Sequence, residues 1–186
     1  MNIAPVAYRY ARSVMELARE KGQLDGVQGD MRLVAATCAA SRDLQVLLKS
    51  PVVKPDTKGR ILDRIFDGKV EPLTASFMAI LVRKGREVLL PHVAEAFNAL
   101  YKQHMGIVTV EVTSAVQLND KAREEVRTLA EARHPGRTID LQEKVDATLI
   151  GGLTIRIGDE QVDGTVSRRL ADLRREFSKN PYIPAI

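Results

Sequence analysis

Three histidines, His92, His104 and His134, and a single cysteine, Cys38, are the side chains through which this 186-residue chain could hold a transition metal or run nucleophilic or acid–base chemistry. Their spacing forms no such site. No two histidines stand in an H-x-x-x-H pair, and one cysteine cannot supply the paired thiolates of a zinc centre. His92, between Pro91 and Val93, reads as a packed or surface histidine rather than a base. Lys58-Gly59 in "DTKGRI" lacks the upstream glycine and the trailing hydroxyl residue of a phosphate loop. Gly151-Gly152 in "LIGGLTIRIGD" precedes a strand pattern, whereas a dinucleotide fingerprint follows a strand and opens a helix. Those glycines therefore read as a tight turn or bulge that admits close backbone approach. With no nucleophile, metal set or carboxylate pair converging, neither an enzyme nor a cofactor is expected.

Binding is the remaining chemistry. Arg83, Lys84 and Arg86 form one basic cluster, and Arg168, Arg169, Arg174 and Arg175 form another. Either could hold phosphates, but Asp172 and Glu176 interleave the second at helical spacing, which favours a solvated helix face. Aromatic residues are 4% of the chain and no stacking motif accompanies the arginines, so a stand-alone RNA- or acidic-partner-binding module is the weaker alternative. Residues 1–105 carry 16 basic and 11 acidic groups, whereas 106–186 carry 12 and 13, an asymmetry that supports two domains. Cys38 can form no intrachain disulfide and is expected as a small buried apolar residue in a reducing compartment. The N-terminal segment lacks a secretory apolar core, Glu16 and Glu20 argue against a transit peptide, and no apolar run reaches the ~20 residues of a membrane span. The chain is expected to be soluble and to meet a membrane only through a partner.

The elements that would position these groups follow from periodicity. Ala7, Ala11, Val14 and Ala18 recur at helical spacing, widened by Tyr10, Met15 and Leu17, and predict a first helix from Ala4 to about Arg19. A helical run follows between breaks at Gly22 and Pro51. Pro55 and Asp56 open a helix whose buried face is Ile61, Leu62, Ile65 and Phe66, ended by Gly68. The next runs from near Pro72 to Gly85; eight of its ten residues from Leu73 to Val82 are apolar, so it is either central or packed on both sides, once internally and once by a partner. A further helix carries Leu89, Val93, Ala96, Phe97 and Leu100 and stops at Gly106. There the period switches to two: Val108, Val110 and Val112 predict a half-buried strand. A helix capped by Asn119 or Asp120 follows, with Ala122, Val126, Leu129 and Ala130 inward. A strand carrying Ile139, Leu141 and Val145 comes next, in which Glu143 breaks the alternation and marks an edge or a bend. Leu153, Ile155 and Ile157 form another strand, Gly158 and Asp159 the turn, and Gln161 and Val162 a short return. Asp163 or Thr165 caps a last helix with Val166, Leu170, Leu173 and Phe177 on one stripe.

The run Leu149, Ile150, Gly151, Gly152, Leu153, Ile155, Arg156, Gly158, Asp159, Asp163, Gly164, Thr165, Val166 and Leu170 resembles the C-terminal signature of the ATP synthase delta subunit family, which includes the mitochondrial oligomycin sensitivity-conferring protein. "VAYRYARSVMELA" is similar to the family's first helix and "LVRKGRE" to the end of its fifth, so the resemblance spans essentially the whole chain. It implies an α+β protein: an N-terminal six-helix bundle, residues 1–105, that binds the alpha subunit, and a small α/β domain, 106–186, that binds the peripheral stalk. The implied role is a non-catalytic stator of a proton-translocating F-type ATP synthase, which joins the catalytic head to the stationary stalk and resists rotor torque. It implies a groove between helices one and five for the N-terminal helix of an alpha subunit, which by position involves Ala7, Tyr10, Ala11 and Val14 with Phe77, Met78 and Leu81. The signature residues Gly151, Gly152, Gly158, Asp163, Gly164 and Thr165 would shape the sheet and aim the last helix, and Arg168, Arg169 and Arg174 would meet acidic residues at the C-terminal end of the b-type stalk. The implied location is peripheral, on the cytoplasmic face of the inner or plasma membrane.

Overall fold

The computed structural model describes residues 3–158 and 160–178, with side chains from Pro5 onward. Two compact units divide the chain, Met1–Met105 and Gly106–Ile186. Six α-helices make up the described part of the first: α1 (Ile3–Glu20), α2 (Leu24–Ala40), α3 (Arg42–Lys49), α4 (Pro55–Phe66), α5 (Pro72–Arg83) and α6 (Leu90–His104), with a 3₁₀ turn at Glu87–Leu89 before α6. The stretch between Gly22 and Pro51, expected as one helical run, is two helices. Ser41 interrupts it: its backbone is extended, and its hydroxyl accepts the Leu44 N–H at 3.2 Å as a new N-cap. A serine that can bond the backbone locally competes with helix continuation.

Both α1 and α2 pack on α6. Ala7, Ala11, Val14 and Ala18 turn inward against Val27, Met31 and Val34 of α2 and Val93 and Phe97 of α6. Cys38 lies in the same core, as its composition suggested, and burial first, then the negative charge of Glu95, pushes its thiol up to about 11, which leaves it protonated and inert at neutral pH.

The apolar helix α5 is not central. Thr74, Phe77, Met78, Leu81 and Val82 are buried, while Ala75, Ser76, Ala79 and Ile80 face solvent. Its start is held by a group from another helix: Glu71, at the N-cap, makes no side-chain cap, and the buried Asp30 of α2 accepts the Glu71 N–H at 2.8 Å and the Thr74 hydroxyl at 2.6 Å. A second buried tie joins α4 to the 3₁₀ turn, where Lys58 Nζ meets Glu87 Oε1 at 2.6 Å and donates to the Leu48 carbonyl of α3 at 3.0 Å. Lys58, which the sequence offers only as an empty phosphate-loop match, is thus a structural cation.

The second unit is a four-stranded sheet in the order β2-β1-β3-β4 with one covering helix. Strand β1 (Ile107–Ser114) pairs in parallel with β2 (Thr138–Val145) through the crossover helix α7 (Asp120–Arg133), and antiparallel with β3 (Leu153–Ile157), which pairs antiparallel with β4 (Glu160–Asp163). Val110, Val112, Ile155 and Ile157 meet Val126 and Ala130 of α7 in the core. Leu129, expected inward, is exposed, and so is Val145, expected on one face with Ile139 and Leu141; Leu129 stands off the α7 face centred on Val126 and Ala130, and Val145 ends the edge strand. Glu143 breaks the alternation without a bend: on the edge strand it takes a two-pronged bond from Arg123 of α7, Nε to Oε1 at 2.5 Å and Nη2 to Oε2 at 3.2 Å. That guanidinium holds its carboxyl below the usual range.

The glycine pair is where the chain doubles back on itself. Gly152 has φ +82, and a Cβ there would stand 2.4 Å from the Gly164 carbonyl oxygen and 2.9 Å from the Thr165 Cα. Two backbone bonds close the crossing, Gly164 N–H to Leu153 O at 2.9 Å and Val166 N–H to Gly151 O at 3.0 Å. Asp163 Oδ1 then accepts the Thr165 N–H at 3.0 Å, and Thr165 Oγ1 accepts the Arg168 N–H at 3.2 Å, so both expected caps act in series to launch α8 (Val166–Ser178). Asp159 of the expected turn lies outside the described residues.

Two outcomes follow. Gly152→Ala adds a methyl group against backbone in a conformation that disfavours it, and is expected to destabilise the C-terminal unit by roughly 2 kcal/mol or more. Gly151→Ala meets only the Val166 Cγ2, at 3.3 Å, and costs less in the same thermal unfolding series. Asp30→Ala leaves the Glu71 N–H and the Thr74 hydroxyl unpaired, with an expected loss of about 2–3 kcal/mol. Asp30→Asn, which keeps an acceptor, should lose less, as read by urea unfolding.

Candidate partner-binding site

The proton-transfer and metal-binding groups do not assemble. His92 is exposed beside Glu95 at 3.6 Å, His104 lines a surface cavity, and His134 ends α7. Among the described residues no three His, Cys, Asp or Glu side chains gather as a metal set would require. What the structure offers is apolar surface beyond what its cores need.

Helix α1 turns two flanks to solvent. On one, Tyr8 and Met15 join Leu100 of α6 around a cavity of about 350 Å³ with Arg12, Glu16, Arg19, Gln103 and His104. On the other, Tyr10 of α1 meets Phe77 of α5, ring centroids 6.4 Å apart and planes tilted by 55°. Arg86, just past the end of α5, closes the pair: its guanidinium carbon lies 5.6 Å from the Tyr10 ring centroid, and Nη1 donates to the Tyr10 hydroxyl at 2.7 Å.

The groove residues carried over from the resemblance divide by depth around this seam. Ala7, Ala11, Val14, Met78 and Leu81 are buried and form its floor as part of the bundle core. Phe77 is 8% exposed and Tyr10 half-buried, so these two reach the surface. The open apolar rim comes from two side chains outside that set, Leu17 at 41% and Ile80 at 47% exposure. Leu17 lies seven positions from Tyr10 and Ile80 three from Phe77, which puts each on the flank of its seam neighbour. That spacing was the sequence signal for them; what was missing was which side of each helix turns inward.

In the C-terminal unit the signature residues shape backbone. Gly151, Gly152, Gly164, Asp163 and Thr165 form the crossing and cap described above, and Gly158, with φ +58, follows the end of β3. They aim α8, none of whose residues is buried. Its Val166, Leu170, Leu173 and Phe177 are 38%, 54%, 47% and 86% exposed. Of the three arginines expected at the stalk, Arg168 pairs with Asp172 at 3.4 Å, whereas Arg169 and Arg174 make no ion pair among the described residues.

The family model for the ATP synthase delta (OSCP) subunit matches residues 6–177. ATP synthase subunit delta of Chlorobium phaeobacteroides is 40% identical over 172 residues, 92% of this chain and 94% of that protein. The subunits delta of Chlorobaculum tepidum and Cytophaga hutchinsonii are 35% and 32% identical, over 97% and 94% of this chain and 99% and 94% of theirs. A chain of the Toxoplasma gondii mitochondrial ATP synthase hexamer shares the fold, with a TM-score of 0.72 at 23% identity over 92% of this chain and 96% of that one. A bundle with an open aromatic seam, a glycine-crossed sheet and a match of this length lead to one assignment: the chain belongs to the ATP synthase delta (OSCP) subunit family.

Proposed function

We propose that the N-terminal bundle receives the N-terminal amphipathic helix of an ATP synthase alpha subunit along the α1/α5 seam, and that the C-terminal unit holds the C-terminal end of the b-type stalk. As a member of its family the chain is a non-catalytic stator component of an F-type ATP synthase, linking the catalytic head to the peripheral stalk. A rotor driven by proton flow exerts torque on the head, and a stator that slipped would let the head turn with it. Durable binding is the whole task, and apolar side chains seated in preformed grooves suit it.

The observation that carries the first contact is the Tyr10–Phe77 pair, with the exposed Leu17 seven positions from Tyr10 on α1 and the exposed Ile80 three positions from Phe77 on α5. An amphipathic helix with apolar residues at i, i+3, i+4 and i+7 fits such a seam. No helix among the described residues is long and apolar enough to cross a membrane, and we place the chain at the membrane through its complex, on the cytoplasmic side. The stand-alone RNA-binding alternative gains no support, since the family match covers residues 6–177 and is to a synthase subunit.

The test is calorimetric titration of the full chain with an alpha-subunit N-terminal peptide of about 20 residues, long enough to form a helix on binding. One-to-one binding is expected, and a leucine-to-aspartate peptide should abolish it. Leu17→Asp or Ile80→Asp removes apolar burial of about 1.5–3 kcal/mol and should weaken binding about 10- to 100-fold. Tyr8→Asp, on the opposite flank, should leave it unchanged; a loss there with none at Leu17 or Ile80 would move the site to the α1/α6 cavity.

A further inference from the structure

The helix α8 is 13 residues long and buries none of them. A helix of that length is marginal in water on its own, and its four apolar side chains, 38–86% exposed on one stripe, leave apolar area that a covering partner would bury. Val166, Leu170, Leu173 and Phe177 are spaced by four, three and four, which is the d-a-d-a spacing of a coiled-coil seam.

The charges sort around that seam into two sets. Arg169 precedes Leu170 and lies four before Leu173, and Arg174 follows Leu173 and lies four after Leu170, so they occupy the bordering g and e positions. Both are without an ion pair among the described residues. Arg168 and Arg175 each stand two positions from the nearest seam residue, on the opposite face, and close on Asp172 at 3.4 and 2.6 Å. The far-face arginines share one carboxylate within the helix, whereas the seam-border arginines have none. Glu176, at the next g position, is the one acidic border residue.

We infer that α8 is one strand of a heterotypic coiled coil. Its partner is a helix with apolar a and d residues, carboxylates opposite Arg169 and Arg174, and a cation opposite Glu176. The inference rests on the proposal that the C-terminal unit holds the stalk, and it names the surface, the geometry and the charge pattern of that contact. A second copy of this chain fits poorly in parallel, because the g residue of one strand faces the e residue five positions on in the other, which sets Arg169 against Arg174. Phe177, the most exposed of the four, would be the largest anchor.

The experiment uses the full chain and the soluble C-terminal segment of the b-type stalk subunits of the same synthase, with affinity read by calorimetry. Arg169→Glu combined with Arg174→Glu is expected to weaken binding at least about tenfold by setting like charges together, and lysines in place of the facing carboxylates should restore it. Arg168→Glu combined with Arg175→Glu should change it by no more than about twofold. All four side chains are solvent-facing, so unchanged thermal unfolding of the variants separates binding from folding. Amides 166–178 should pass from fast to protected hydrogen exchange when the segment binds. Stalk binding that ignores the Arg169 and Arg174 reversal, or loses equally at Arg168 and Arg175, overturns this inference and leaves the stalk contact standing. So does a chain that sediments alone as a dimer and dissociates with Leu170→Asp, which would give the seam to a second copy. No binding of the unmodified chain to the stalk segment overturns the stalk contact itself.

Discussion

A single buried carboxylate sets what the N-terminal unit can offer a partner. Helix α5 is apolar on most of its circumference, and hydrophobic burial alone does not choose which side turns inward. Asp30 chooses: by accepting the Glu71 N–H and the Thr74 hydroxyl it anchors the first turn of α5 to α2 and fixes its rotation. With Thr74 inward, Phe77, Met78 and Leu81 follow within the next two turns, and Ile80 must face out. The exposure of Ile80, three positions from Phe77, is therefore the geometric consequence of hydrogen bonds made six and nine residues earlier, at Thr74 and Glu71. The buried Lys58–Glu87 pair acts similarly, tying α3, α4 and the 3₁₀ turn with directional bonds where apolar packing would leave freedom.

The second unit reaches the same end with backbone rather than side chains. The crossing at Gly152 and Gly164 brings two strands of chain within a distance that no Cβ permits, and the bonds on either side of it fix the direction in which the chain leaves the sheet. The Asp163 and Thr165 caps then satisfy the first amides of α8. Asp163 is held below the usual carboxylate range, first by the Thr165 N–H and then by its hydroxyl. Its contribution is present above the ordinary Asp range and fades only as the pH falls through the lowered value, so the launch of α8 is insensitive to physiological pH.

These devices suit a stator. A part that must not yield under torque gains from surfaces preformed by rigid elements, because little binding energy is then spent on ordering them. Chemistry that titrates near neutrality would add nothing, and the one thiol is protonated in the core.

The sequence determined what depends on local spacing: the period switch at Gly106, the alternating strands, the caps of α7 and α8 and the backbone role of Gly151 and Gly152. Signature residues were legible because turn and cap chemistry is local. Tertiary structure decided what depends on rotation about a helix axis. Tyr10, Phe77 and Met78 could be named from sequence, but whether each lay on the floor or the rim could not, since a helix apolar on most sides carries no periodic signal of its own orientation. The break at Ser41 escaped because a serine in a helical run is as often exposed as capping. The open stripe of α8 escaped because its spacing is the same whether the partner lies in this chain or in another; only the folded unit shows that none of the α8 residues is buried among the described residues.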